Sequence, residues 1–440
     1  MYLNFVWHFH QPIYHLPDSK EYLLPWVNYH ATRNYWQMLR IVEETEFPCT
    51  INLVPSLLEQ IVDYAEERAC DPVLQALSKP AEKLSPEEIA LLKRFFPLFH
   101  SEDSPARLQQ RILEFHFSPL LQPESRSREE LLQLRSSILK ELINYFKKLN
   151  RQGLIELTVT PFYHPLLPLL IELDQARNEA PELPEFKHPG DARWHLEAAR
   201  QFFEQTFGFA PAGLWPSEGA ISQAACELIA ASGYRYTMTD EYILWKSLDH
   251  RPSPALLYRP YESRGVRVFF RDRELSDLIG FEYHRWPAEQ AAADFLRKLE
   301  KRSEGVPEEA VCSIILDGEN PWGAYRHNGI DFLRLLFERI KSSGRFRPIL
   351  PGEYFSSHTR AESLKIITGT WMSSFFKWVG HPEKVRTWKR LAEVRASCGF
   401  SRYLAVAEGS DWFWWAGETE EKEFDLLFSS YLEKASARED

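Results

Sequence analysis

The sequence predicts an α/β fold in which a parallel barrel carries a helical insertion and ends in a helical C-terminal region. Two observations lead there. Short apolar or β-branched runs alternate with segments of helical spacing, the pattern of a parallel barrel or a doubly wound sheet. Nearly every run is also followed by a polar, ionisable cluster. A barrel gathers the carboxyl ends of its strands at one mouth, where such clusters converge. An open sheet spreads them along an edge, so the barrel is the better reading.

Seven runs qualify as strands: Tyr2–Trp7, Cys49–Leu53, Ile155–Thr160, Ala212–Trp215, Tyr234–Met238, Val266–Phe270 and Val311–Leu316. His8-Phe9-His10-Gln11-Pro12 follows the first, Val54-Pro55-Ser56 the second and Pro161-Phe162-Tyr163-His164 the third. The fourth leads into Pro216-Ser217-Glu218, the fifth into Thr239-Asp240-Glu241 and the sixth into Arg271-Asp272. Asp317-Gly318-Glu319-Asn320 ends the seventh. Between strands, Asp191–Phe207 and Glu289–Arg302 have helical spacing. Residues 57–150 are rich in Leu, Glu, Lys and Arg, with helical runs at Glu87–Phe96 and Glu129–Leu149. That is too long for one crossover helix and reads as an inserted helical subdomain. Past residue 355 strand character fades, and Leu391–Ala435 is mainly helical. The expected division is a catalytic barrel over 1–350 and a mainly helical C-terminal domain over 351–440 that completes the active site.

Composition narrows the function classes. A chain of 440 residues exceeds the usual single-domain size. Its 14 Trp, 18 Tyr and 29 Phe either fill a large core or offer flat apolar faces to sugar rings. A net charge of −11 argues against nucleic acid or an anionic membrane as partner, because either calls for a clustered basic face. There is no apolar run of about 18 residues to span a membrane. The start, MYLNFVWHFHQPIYH, lacks the cationic and apolar regions of a signal peptide. The five cysteines are odd in number and scattered, as reduced thiols are. A cytoplasmic chain with neither nucleic acid nor membrane as partner is expected.

Retaining glycoside cleavage needs two carboxyl groups about 5–5.5 Å apart, one ionised to attack the anomeric carbon and one protonated to help the leaving oxygen depart. Glu218 and Asp317 follow the fourth and seventh strands, each with a Trp nearby (Trp215 and Trp322). Each also has a structural reading. Glu218 sits where a helix start is capped, and Asp317 precedes Gly318 as turn residues do. Glu319 is a rival acid, on the same side as Asp317 if the strand continues. His8 and His10 alternate on one strand, and His164 ends another. Three histidines with carboxylates suit zinc, but no paired spacing on a helix and no cysteine supports a metal cluster. Hydrogen bonding to sugar hydroxyls is the competing role. His15 and His30 read as core residues.

Taken in order, these motifs resemble glycoside hydrolase family 57, and the resemblance runs from Tyr2 to about Leu432. Its five short signature regions have counterparts here. They are His8-Phe9-His10-Gln11-Pro12, Pro161-Phe162-Tyr163-His164-Pro165, Gly213-Leu214-Trp215-Pro216-Ser217-Glu218, Leu316-Asp317-Gly318-Glu319-Asn320-Pro321-Trp322, and Gly369-Thr370-Trp371 followed by Trp378-Val379-Gly380 and Trp388. Phe270-Arg271-Asp272 with Leu275-Ser276-Asp277, and Gly409-Ser410-Asp411-Trp412-Phe413-Trp414-Trp415, are similar to the amylase and amylopullulanase branch. Thr370 departs from the expected Ser, keeping the hydroxyl and adding a methyl that would alter the fit near a sugar.

The resemblance implies an incomplete seven-stranded (β/α)7 barrel, retention of configuration and no metal or other cofactor. It makes Glu218 the nucleophile and Asp317 the acid/base, with α-glucan as substrate. Asp317 is expected to hold its proton through the nearby Glu218 charge and burial against Trp322. His8, His10, Gln11 and His164 are expected to hold sugar hydroxyls, and Trp215, Trp322, Trp371 and Trp378 to lie against sugar rings. Hydrolysis, with 4-α-glucanotransfer or branching by the same chemistry as the alternative, stays open. So do a non-catalytic glucan-binding protein and a metal-dependent carbohydrate hydrolase.

Overall fold

The computed structural model describes residues 1–96, 104–118, 126–248, 251–358, 360–418 and 422–437. Seven parallel strands form its centre: β1 (Tyr2–Phe9), β2 (Cys49–Leu53), β3 (Ile155–Val159), β4 (Gly213–Leu214), β5 (Tyr236–Asp240), β6 (Val266–Arg271) and β7 (Val311–Asp317). Each of the seven apolar runs becomes one of them. Their order is β6-β5-β4-β3-β2-β1-β7, and β6 meets β7 to close the ring. The closing seam is narrow, a single register pair of Arg271 with Ser313. It is reinforced by Asp272 N donating to Ser313 O at 2.8 Å and by Arg271 Nε donating to Ile315 O at 2.6 Å.

Both faces of these strands are covered, which is why they read as near-continuous apolar runs. Along β1, Leu3, Phe5, Trp7 and Phe9 join the large core between barrel and helices, while Val6 joins the barrel lumen. The lumen has two kinds of filling. Val6, Tyr236, Met238, Phe269, Val311, Ile315 and Tyr354 form an apolar cluster with Trp215. Beside it runs a polar ladder: Thr50 donates to Asn4 at 3.2 Å, Asn52 to Thr158 at 3.1 Å and Thr160 to Asn52 at 2.7 Å. Buried polar groups persist only when paired in this way. The ladder ends on His8 at the mouth, whose Nδ1 lies 2.7 Å from Asn52 Oδ1.

Local chemistry explains two edges that differ from the sequence reading. β4 shrinks to Gly213 and Leu214, and a Cβ on Gly213 would fall 2.1 Å from the Tyr236 ring. β5 lies two residues further on than expected, which brings Asp240 onto the strand.

The insertion contains helices Pro55–Ala65, Pro72–Ser78, Pro86–Phe95, Pro105–Phe117 and Arg128–Arg151. Ser85 and Ser127 open two of these with reciprocal caps to Glu88 and Glu130. Val73, Leu92, Leu108, Ile112, Phe117 and Leu131 give it a small core of its own. After residue 350 the chain is mostly helical, with Pro382–Cys398 and Lys422–Ser436 the longest members. These helices share one continuous core with the barrel surround. Among the described residues no helix is long and apolar enough to cross a membrane, and the five cysteines are all unpaired.

Candidate active site

The carboxyl end of β1 sets the first side of the mouth. His8 and His10 alternate on the strand and its extension, and His164 follows β3 with a left-handed φ of 61° that turns its ring inward. The three imidazoles stack. Ring centroids are 5.7 Å apart for His8–His10, 5.3 Å for His8–His164 and 3.8 Å for His10–His164. Asn52 Oδ1 also accepts from Thr160, so it fixes the His8 proton on Nδ1 and leaves Nε2 as an acceptor. Burial, then the neighbouring His10 charge, pushes His8 down to about 4. Burial likewise holds His164 well below the usual histidine range.

The C-terminal region supplies the partners of this stack. Ser410 Oγ lies 2.9 Å from His164 Nδ1, and Asp411 Oδ1 lies 2.9 Å from His10 Nε2. His10 Nδ1 and His164 Nε2 are buried without a hydrogen-bond partner. His10, His164 and Asp411 also bring ligand atoms within 4.8 Å of one another. Yet imidazole lone pairs lie in the ring plane, and these two rings are tilted by only 18°. Their lone pairs therefore run in nearly parallel planes, a geometry for separate hydrogen bonds rather than for convergence on one ion.

Glu218 stands after β4, and Asp317 ends β7, which lies across the barrel in the strand order. Glu218 adopts the left-handed region, φ 57° and ψ 24°, a strained backbone that tertiary contacts must hold. Trp371 holds it. The indole Nε1 donates to Glu218 Oε2 at 2.8 Å, and a short bridge joins Ile221 to Gly369. Trp371 is fixed in turn by Arg273, which donates to its carbonyl and to Asp240. Burial pushes the Glu218 carboxyl up to about 7, aided by the charges of Asp411 and Asp317 and opposed by Trp371 and His10.

Asp317 is in register with His8 and accepts from Asn320 Nδ2 at 2.7 Å. The turn after it tolerates no side chain at Gly318, where a Cβ would sit 2.1 Å from the Phe9 ring. A cavity of about 470 Å³ opens beside Asp317. His8, Trp215, Arg271, Phe281 and Trp371 are among its walls.

Five expectations need correction. Trp322 is fully buried, 5.7 Å from the Trp7 ring, and donates to Gly318 O at 2.8 Å. It braces the turn beneath Asp317 from outside the barrel instead of facing a sugar or covering the Asp317 carboxyl. Trp378 is also fully buried, packed against Trp414, and its carbonyl accepts from Trp388. Gln11 is buried beneath the mouth, donating to Glu319 Oε1 and accepting from Tyr14. Glu319, the rival acid, is 3% exposed and also accepts from His10 N at 3.1 Å. The strand ends at Asp317, so alternation no longer puts Glu319 on the same side. The Thr370 hydroxyl is buried too, accepting from Met372 N in a turn.

Asp411, Ser410, Asp240 and Arg273 were not among the predicted site residues. Asp240 closes a strand and was legible as part of a polar cluster. Asp411 carried no strand context, and 401 residues separate it from His10.

Carboxylates at the carboxyl ends of strands on opposite sides of the barrel are a placement that glycosidic bond chemistry can use, and the class that fold and site point to is a glycoside hydrolase. The chain belongs to glycosyl hydrolase family 57, whose family model matches residues 4–367. A search of curated proteins finds no match. Among solved structures the chain is similar to a branching enzyme of this family from Thermococcus kodakaraensis, with a TM-score of 0.66, 18% identity, and coverage of 99% of this chain and 88% of that one. It is similar to the α-amylase AmyC from Thermotoga maritima at a TM-score of 0.65 and 18% identity, covering 99% and 92%. The 4-α-glucanotransferase from Thermococcus litoralis follows at 0.62 and 18%, covering 99% of this chain and 59% of that chain.

Proposed function

We propose that this chain is a retaining α-glucan hydrolase of the α-amylase or amylopullulanase type, working through a covalent glycosyl-enzyme. Glu218 is the nucleophile and Asp317 the acid/base. The observation that carries the division of labour is access. Asp317 lines the open cavity, where a leaving group departs and water enters, while Glu218 lies outside that lining, pinned by Trp371. A nucleophile needs a fixed line of attack, and an acid/base needs room for the groups it serves.

In the first step Glu218 attacks the anomeric carbon as Asp317 gives its proton to the departing oxygen. In the second, Asp317 takes a proton from water and the Glu218 ester breaks. The buried, partnerless His10 Nδ1 and His164 Nε2 are satisfied by hydroxyls of the sugar being cleaved. His8 Nε2 faces that sugar as an acceptor, and Trp215 and Trp371 give it apolar walls. Burial alone favours the opposite assignment, with Glu218 carrying the proton, and the azide experiment below separates the two. The five unpaired thiols among the described residues support a reducing, cytoplasmic setting.

The solved relatives include enzymes named for branching and for glucan transfer, which keeps 4-α-glucanotransfer or branching as the second reading. Product analysis on maltooligosaccharides tests the choice. Shorter products alone mean hydrolysis, longer ones mean transfer, and an untouched substrate sinks the α-glucan reading.

A further inference from the structure

We propose that Phe281 is the platform for the sugar on the leaving and accepting side of the cleft, and so sets whether the glycosyl group passes to water or to another glucan chain. This rests on the α-glucan reading above. The side is given by the cavity walls. The cavity is walled by His8, Trp215 and Trp371, which the reading above gives to the sugar being cleaved, and, with Asp317, by Phe281, Glu282 and Arg285. The walls left for the group that takes the Asp317 proton are those around Phe281.

Phe281 is 57% exposed in a chain whose large aromatics are mostly buried. Its exposure is not that of a loose loop. The preceding Ile279 is fully buried, and its carbonyl accepts from Tyr325 Oη at 2.6 Å. Two residues beyond Phe281, Tyr283 Oη donates to Asp294 at 2.8 Å. Gly280 beside it also faces open space, with nothing within 4 Å of where a Cβ would stand. An aromatic face held rigidly in solvent at the wall of a catalytic cavity suits the apolar face of a pyranose ring. Glu282 and Arg285 give the same rim polar groups for hydroxyls.

In the transfer step the acceptor hydroxyl oxygen bonds to the anomeric carbon and gives its proton to the Asp317 carboxylate. The bond from that carbon to Glu218 breaks, and Glu218 departs with the electron pair as a carboxylate. Water and a sugar compete for this one step, and a sugar lying on Phe281 is favoured by its stacking.

Maltosyl fluoride as donor and maltose as acceptor read this competition directly, because fluoride leaves no sugar in the accepting space. The ratio of transfer to hydrolysis is set after the common intermediate, so it does not depend on how much enzyme is folded. Phe281→Ala should lower that ratio about three- to tenfold, the worth of one stacked ring, and Phe281→Tyr should restore it to within about twofold. A ratio unchanged or raised in Phe281→Ala overturns the inference, as does Phe281→Tyr falling as far as Phe281→Ala. So does a wild-type enzyme that transfers nothing even at high maltose. A wild-type enzyme that consumes neither maltosyl fluoride nor maltooligosaccharides overturns the α-glucan reading, and the inference with it.

Discussion

Replacing Glu218 by Gln should abolish turnover and at the same time stabilise the fold, in a pH-dependent way that the site's geometry dictates. The amide keeps an oxygen for the Trp371 indole N–H, which donates to Glu218 Oε2 at 2.8 Å, but it carries no charge to desolvate. In the folded chain the carboxyl titrates near 7, against an ordinary value of 4.5. Below 4.5 both folded and unfolded chains hold the proton, and wild type and variant differ little. Between 4.5 and 7 the folded chain still binds a proton that the unfolded chain has released, so wild-type stability falls as pH rises. Above about 7 that loss is complete. A shift of this size corresponds to about 3 kcal/mol at most, and partial exposure of the residue reduces it. With an unfolding entropy of about 0.9 kcal/mol/K for a chain this long, the Tm gain should be about 1–3 °C at pH 8 and near zero at pH 4. Scanning calorimetry of both proteins at one scan rate across this range measures it. A variant that is less stable at pH 8, or a gain that does not change with pH, would refute the argument that Glu218 is held at a desolvation cost.

The roles of the two carboxylates separate with azide and an activated substrate whose leaving group needs no proton. Asp317→Ala should form the glycosyl-enzyme and give an azide product of retained configuration, whereas Glu218→Ala should give the inverted product. A retained product from Glu218→Ala means the roles are exchanged. Trp371→Phe removes the N–H that favours the charged Glu218, so the acid limb of kcat/KM should move to higher pH by about half to one unit. A limb that stays in place would detach it from Glu218. Exhaustive dialysis against a strong chelator should leave the rate unchanged, and activity lost to chelation and restored by zinc would assign His10, His164 and Asp411 to a metal.

What the sequence made legible is the part built from local pattern. All seven barrel strands are apolar runs, and the candidate site residues near their carboxyl ends, such as Glu218 and Asp317, lie in the polar clusters that mark those ends. Contacts between distant segments left no such mark. Asp411 reaches His10 only because the C-terminal helices fold back over the mouth. Trp322 and Trp378 show why proximity in a motif does not give direction. An indole five residues past Asp317 packs onto Trp7, because the strand has ended and its N–H bonds back to the Gly318 carbonyl. Glu319 fails the alternation rule for the same reason.

The polar ladder inside the barrel ties these two levels together. An apolar lumen would fill the space as well, yet Thr50, Asn52, Thr158 and Thr160 stand there with Asn4. Asn52 gives the reason, since its Oδ1 accepts from Thr160 and from the His8 ring at once. That contact sets the His8 tautomer, and burial keeps the imidazole neutral. An Asn in the lumen must itself be satisfied, which calls for the hydroxyls of Thr158 on the neighbouring strand and of Thr160 just past its end. The polar filling thus extends inward from the mouth, because one oriented imidazole there demands a partner and each partner demands another. The apolar cluster around Val6, Tyr236, Met238 and Phe269 occupies the rest of the lumen, where no such demand reaches.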